Sequence, residues 1–292
     1  MRWRTASAIE ANTHSPGARP HVRATSRGLI RRHPAGAFFA ITFLVSWTAA
    51  LCVALPWLHR GQRLPELAGI IMFPAMLLGP SVTGILMTCA VSGTAGLRVL
   101  GDRLTRWRLG TWYAVLLIPP VLVCGLLVCL QHLVSPAFAP NLFFAGVLFG
   151  LPAGYLEEIG WMGFVFDRLR ERRSALGAAV VLGLIWATWH LPAVDFLGAA
   201  HPHGSYWLPF FCAFAAAMTA MRVLISWVYV NTGSVLGAQL LHVSSTGALV
   251  VFGATGANPS QEAAWYALYA LALWLVAAAV VRIHGPALKR NR

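Results

Sequence analysis

After residue 34 the chain alternates long apolar runs with short polar breaks, and each run is long enough to cross about 30 Å of hydrocarbon as a helix. Eight runs fit that description, at 35–55, 67–91, 111–134, 141–166, 176–197, 206–230, 234–252 and 263–283. The pattern predicts an all-α polytopic membrane protein, a bundle of about eight transmembrane helices. Pro74, Pro80, Pro119 and Pro120 fall inside the second and third runs. Neighbouring helices can satisfy the backbone groups a proline frees within a membrane, so these residues predict kinks and not breaks. Residues 1–34 carry seven arginines with Pro16, Pro20 and little apolar periodicity, which predicts a flexible basic arm and not a cleavable signal. The expected organisation is this arm at 1–34, one membrane domain at 35–285 and a basic tail at 286–292.

Composition narrows the class. The chain is 58% hydrophobic and 11% charged, with a mean hydropathy of +0.67, too apolar for a soluble domain. A net charge of +13 invites a nucleic-acid reading, so the positions of the basic residues decide. With the N-terminus inside, the inner segments take the seven arm arginines, four at 98–108, four at 168–173, Arg222 and four from Arg282 onward. The outer loops take only Arg60 and Arg63. Such a split is the positive-inside pattern of a multi-pass protein with both termini cytoplasmic, and it accounts for the charge with the anionic membrane surface as partner and no nucleic acid. Many Ala and Arg with a single lysine, Lys289, suggest a GC-rich bacterial genome and hence a bacterial plasma membrane. Cys52, Cys89, Cys124, Cys129 and Cys212 all lie in apolar runs without metal-ligand or disulfide spacing and are expected to be packed free thiols.

Most of the nine acids sit in loops or at run ends, with Asp195 near the outer end of the fifth run. Glu157 and Glu158 are the exception, two adjacent carboxylates deep in the fourth. One ionised carboxylate near a bilayer centre costs at least ~2.5–3.5 kcal/mol on insertion scales, so an intramembrane acid implies a function and a partner. His190 and His242 are the two deep histidines. At about 1.5 Å per residue from the inner ends of their runs, Glu157, His190 and His242 lie roughly 14, 21 and 12 Å in, near enough in depth to share one site. A single membrane histidine is as often interhelical glue as a functional group. Two adjacent acids make poor glue. Two carboxylates with two imidazoles suit hydrolysis by activated water, with one acid holding a proton or a divalent metal, zinc being the expected one, compensating the charge. There is no HExxH, no GxSG and no GxGD, so the zincin, membrane serine protease and membrane aspartyl protease patterns are excluded.

Three ordered segments, Glu157-Glu-Ile-Gly-Trp-Met-Gly-Phe164, Trp186-Ala-Thr-Trp-His-Leu-Pro192 and Gly233-Ser-Val-Leu-Gly-Ala-Gln-Leu-Leu-His242, resemble the motifs of the CAAX protease and bacteriocin-processing (CPBP, Abi) family, which includes the type II CAAX prenyl endopeptidases. Weaker likenesses fall at 79–81, 106–113 and 227–233. The resemblance implies an eight-helix intramembrane metalloprotease cutting membrane-associated peptides on the cytosolic side. Carried over, Glu157 and His190 would activate the attacking water, Glu158 would support them, and His242 would bind metal or stabilise the oxyanion; Glu157, His190 and His242 form the implied metal set. Two positions depart from the pattern. The arginine usual four residues after the second Glu is Met162 here, and the Asn or Asp usual four residues after the last His is Thr246, which can still donate one hydrogen bond with a shorter reach. Arg222 is a candidate replacement cation, although snorkelling to the inner interface is the simpler expectation. Trp161, Trp186 and Trp189 read first as packing and second as a lining for substrate.

A catalytically silent scaffold or bacteriocin-immunity factor is the rival reading, supported by Met162 and Thr246. A transporter would show repeated halves or a polar path through the whole bilayer, and the outer halves of the runs are nearly free of ionisable groups. The topology is testable by cysteine labelling in intact cells: a probe in the 169–173 loop is expected to be shielded from membrane-impermeant reagent, and labelling there would overturn the orientation and the depth estimate together.

Overall fold

The computed structural model describes residues 28, 30–62, 64–194 and 203–290; most of the basic arm and Asp195 lie outside the described residues. In chain order the elements are α1 (Pro34–Leu58), α2 (Glu66–Leu104), a 3-10 segment (Gly110–Leu117) running into α3 (Ile118–Leu133), and α4 (Val147–Gly160). A π segment (Trp161–Val165) leads from α4 into α5 (Phe166–Arg170), and α6 (Ala175–Trp189), α7 (Trp207–Thr232), α8 (Val235–Phe252) and α9 (Pro259–His284) follow. Among the described residues there is no strand, and six helical segments are long and apolar enough to cross a membrane. Large apolar side chains such as Leu44, Leu86, Leu148 and Leu275 are exposed on the outside of the bundle, as a protein solvated by lipid requires. The all-α polytopic expectation holds.

Several boundaries differ from the hydropathy pattern. The fourth run is not one helix but α4, a π turn and α5 in series, and the fifth helix, α6, is only 15 residues long before His190 caps it. α2 runs on past residue 91 to Leu104, turning at Gly93, whose φ of 63° a residue with a side chain would resist. Hydropathy ends where the charges begin, yet the helix continues because its end is tied down. Arg103 Nη1 donates to Asp167 Oδ2 at 2.8 Å and to the Tyr229 hydroxyl at 2.7 Å, joining α2 to α5 and α7. Pro74 and Pro80 sit within α2 without ending it, while Pro119 and Pro120 mark the change from 3-10 to α at the start of α3. The five cysteines are free but not packed: four are exposed on the bundle surface and Cys124 is half-buried.

Residues 286–290 return to the bundle. Asn231 Nδ2 donates to the Leu288 carbonyl at 2.8 Å, Arg290 N–H donates to Asn231 Oδ1 at 2.8 Å, and the Leu288 side chain is fully buried.

The closest helix pairing that matters for the site is α4 on α8. Gly150 and Gly154, one turn apart, face Val243 and Gly247 so closely that a Cβ at Gly154 would come within 2.7 Å of the Gln239 carbonyl oxygen. Small residues at this spacing let two membrane helices approach backbone to backbone. Gln239 Nε2 then reaches across to donate to the Tyr155 carbonyl at 2.7 Å. The next residue on the same stripe, at the same four-residue spacing, is Glu158. Gly154→Val is therefore expected to push α8 away and cost about 1–3 kcal/mol, the usual penalty of overpacking, measured as a lowered unfolding temperature in detergent with the same change at exposed Gly125 as control.

Candidate active site

Four helices deliver the site. α4 brings Glu157 and Glu158, α6 brings Trp186 and ends at His190, α7 brings Arg222, and α8 brings His242. Glu157, Glu158 and Arg222 are wholly enclosed and His242 is 1% exposed, while His190 is half-buried. The acids are thus sealed within the bundle, and His190 is the site's most accessible member.

The two acids are held in different ways. Glu158 meets a cation: Arg222 Nη1 stands 2.8 Å from both of its oxygens. Glu158 Oε1 also pairs with His242 Nδ1 at 2.8 Å. Glu157 has no cation. Its Oε2 accepts from two indoles, Trp186 Nε1 at 2.6 Å and Trp161 Nε1 at 3.1 Å, and its Oε1 is buried without a protein partner among the described residues. The chain therefore gives one acid a charge partner and leaves the other an unused oxygen.

Trp186 is the hub, a role that reading it as packing missed. Its N–H holds Glu157, its ring carries the Arg222 guanidinium 4.1 Å from the ring centroid, and its edges meet the His190 and His242 rings at 5.1 and 5.0 Å. Its backbone carbonyl pairs with His190 Nδ1 at 2.8 Å. Trp161 likewise bonds Glu157, whereas Trp189 packs edge-on against Trp161 and His190. The expectation for Arg222 is corrected outright. It does not snorkel, because a fully buried carboxylate lies within reach and the indole face shields the pair. The sequence carried one signal for this, an arginine inside an apolar run with an unpaired Glu elsewhere in the membrane.

His190 and His242 both reach the cluster, each packed against the Trp186 indole, but neither touches Glu157 by a hydrogen bond. Thr246, one turn beyond His242, is half-buried and takes no part in the site's hydrogen bonds. Met162 is fully buried beside the pair it would have neutralised in the family pattern.

Each imidazole already has its Nδ1 engaged, which orients the ring and leaves Nε2 free, as is usual for histidines that ligate metals. With Glu157 Oε1 these nitrogens are a chemically suitable donor set. As placed, however, no three His, Cys, Asp or Glu side chains among the described residues are grouped closely enough to hold a metal ion.

Residues 139–248 match the family described as type II CAAX prenyl endopeptidase Rce1-like. That stretch contains all three motifs and every residue of the site. A CAAX prenyl protease 2 of Methanococcus maripaludis is 29% identical over 140 residues, covering 44% of this chain and 51% of the relative. The chain thus matches about half the length of that relative. The resemblance carried by the motifs is supported: the segment that builds this site is similar to the type II CAAX prenyl endopeptidases.

Proposed function

We propose that the protein is an intramembrane endopeptidase that hydrolyses peptide bonds in membrane-associated peptide or protein substrates. The observation that carries this reading is the buried Glu157 carboxylate, fixed through one oxygen by two indole N–H groups, with its other oxygen lacking a protein partner among the described residues and with Trp186 linking it to two oriented imidazoles. An acceptor so placed can take a proton from water. Glu157 is the base, His190 its partner on the accessible side, and Glu158 acts through His242, whose free Nε2 faces away from the carboxylate that holds its Nδ1. A divalent ion, zinc by expectation, would require Glu157, His190 and His242 to draw closer than they stand here, and would then supply polarisation of the water and of the scissile carbonyl.

Substrate entry is supported by an apolar groove of about 800 Å³ along α1, lined by residues including Phe43, Trp47, Leu51 and Met72 and by Pro192, two residues beyond His190. Trp47 Nε1 donates to the Trp189 carbonyl at 3.2 Å, tying the groove wall to the site. A hydrocarbon or apolar peptide segment in that groove would touch Pro192, two residues from His190.

The silent-scaffold reading keeps one specific support, Thr246 standing outside the hydrogen-bond network. Cleavage of a membrane-tethered peptide library by reconstituted protein decides between the two. Glu157→Gln, His190→Ala and His242→Ala are expected to lower the rate by about 10²–10⁴-fold, and Thr246→Ala, with no bond to lose, by less than any of them. Wild-type protein that cleaves nothing with zinc supplied, or Glu157→Gln that cleaves like wild type, hands the function to the scaffold. Metal analysis of the same preparations should find bound zinc in wild type and less in Glu157→Gln.

Trp186→Phe gives a narrower check. It keeps the ring beside Arg222 and both histidines but removes the N–H that fixes Glu157. A loss of about 10²-fold in turnover is expected from that misplacement, with folding unchanged by thermal unfolding.

A further inference from the structure

The first motif lacks a cation at position 162, and Met162 is fully buried there. Two helices away in the chain, Arg222 places Nη1 equidistant from both Glu158 oxygens, at 2.8 Å each, with both side chains at 0% exposure. The separation of 64 residues means that α7, and not the motif helix itself, neutralises the motif. Contact with Glu158 is only half of what the guanidinium does. Its other support is the Trp186 face, 4.1 Å away, and Trp186 in turn fixes Glu157. Glu158, once held, presents Oε1 to His242 Nδ1. One cation therefore sits behind both acids and one imidazole without being bonded to the free oxygen of Glu157.

We propose that Arg222 is a positioning residue: from α7 it supplies the counter-charge that position 162 lacks, and so fixes Glu158 as the acceptor that sets the tautomer and direction of His242. One nitrogen, Nη1, meets both carboxylate oxygens while Nε and Nη2 have no hydrogen-bond partner among the described residues, so the guanidinium serves this task as a charge centred on the carboxylate. A neutral residue of similar length would leave Glu158 buried without a cation, free to turn away from His242 or to bind a proton and compete for the same nitrogen. The substitution Met162→Arg puts a guanidinium four residues from Glu158 on the same helix, where i,i+4 side chains meet. The site then has two alternative sources for one charge, and they should be interchangeable.

The inference deepens the protease reading and rests on it for its kinetic arm, whereas its spectroscopic arm does not. Histidine-selective ¹⁵N spectra of protein in nanodiscs, with His242→Gln identifying the signal, report the His242 tautomer directly. Wild type is expected to show Nδ1 protonated and Nε2 free. Arg222→Met should mix or reverse that tautomer, and adding Met162→Arg to Arg222→Met should restore it. In cleavage, Arg222→Met should lose about 10²-fold in kcat with KM within about threefold, and the relocated arginine should recover at least tenfold. A folded Arg222→Met with the wild-type His242 signal overturns the proposal. Should Arg222→Met fail to fold, Arg222→Lys decides: a wild-type tautomer with kcat down by about tenfold supports positioning by charge, and a changed tautomer in folded Arg222→Lys overturns it. Wild type that cleaves nothing refutes the protease and leaves the His242 signal to judge Arg222.

Discussion

Two adjacent carboxylates with no solvent exposure, in a chain whose surroundings are hydrocarbon, are the constraint on which the rest of this structure depends. Removing one partner of a buried ion pair typically costs 3–5 kcal/mol, because the other charge is left uncompensated. Glu158 is therefore a fixed point to which α7 must bring Arg222 and α8 must bring His242. Glu157 draws α6 in through Trp186 and ties down the turn after its own helix through Trp161. Four helices that would otherwise be free to rotate about their axes in lipid are thereby given one angular setting each. Small residues do the complementary work, since without Gly150 and Gly154 the α8 backbone could not come close enough for His242 to reach Glu158.

The pair divides its duties because the two acids point to different helices. On adjacent positions of one helix the side chains leave about 100° apart, so Glu158 faces α7 and α8 while Glu157 faces α6. The first meets a guanidinium and an imidazole, which saturate it. The second meets indoles, which donate hydrogen bonds without bringing charge. This is how two identical side chains acquire different chemistry: the environment separates their roles. The π segment that follows at Trp161–Val165 belongs to the same logic, as widened turns of this kind recur at functional sites.

The fold class and the three segments that meet were legible in the sequence because each rests on a local signal. Apolar runs mark helices, and two acids or a deep histidine stand out against such a background. What the sequence did not show is angular and long-range. Counting residues from a membrane face gives depth but not which way a side chain points, so Arg222 could be placed at a height without revealing that Glu158 lay opposite. Trp186 was read as packing because an indole in an apolar run is ordinary; only the position of Glu157 makes its N–H matter. The continuation of α2 to Leu104 was hidden for another reason. Hydropathy reports where a helix leaves the hydrocarbon, not where it stops being helical, and the tie from Arg103 to Asp167 and Tyr229 spans 64 and 126 residues. Thr246 is a position marked by motif likeness that makes no side-chain hydrogen bond among the described residues.

The free oxygen of Glu157 bears on what the site is for. A buried acceptor left unsatisfied costs about 1–3 kcal/mol, and a site that served only to hold four helices together would have no reason to keep it. Glutamine at 157 could accept from the same two indoles without carrying a charge, and leucine would remove the polar demand altogether. The chain instead retains an acid there, surrounds it with donors to one oxygen alone, and leaves His190, two residues before the Pro192 that lines an apolar groove, half-buried at the cluster's most accessible point. That atom is a carboxylate oxygen, and in the proposed reaction it is where an attacking water would lose its proton. Proteins tolerate local violations of packing and pairing rules chiefly at functional sites. Glu157 Oε1 is such a violation, as are Arg222 Nε and Nη2 in the same cluster, and of these three it alone is an atom that can accept a proton.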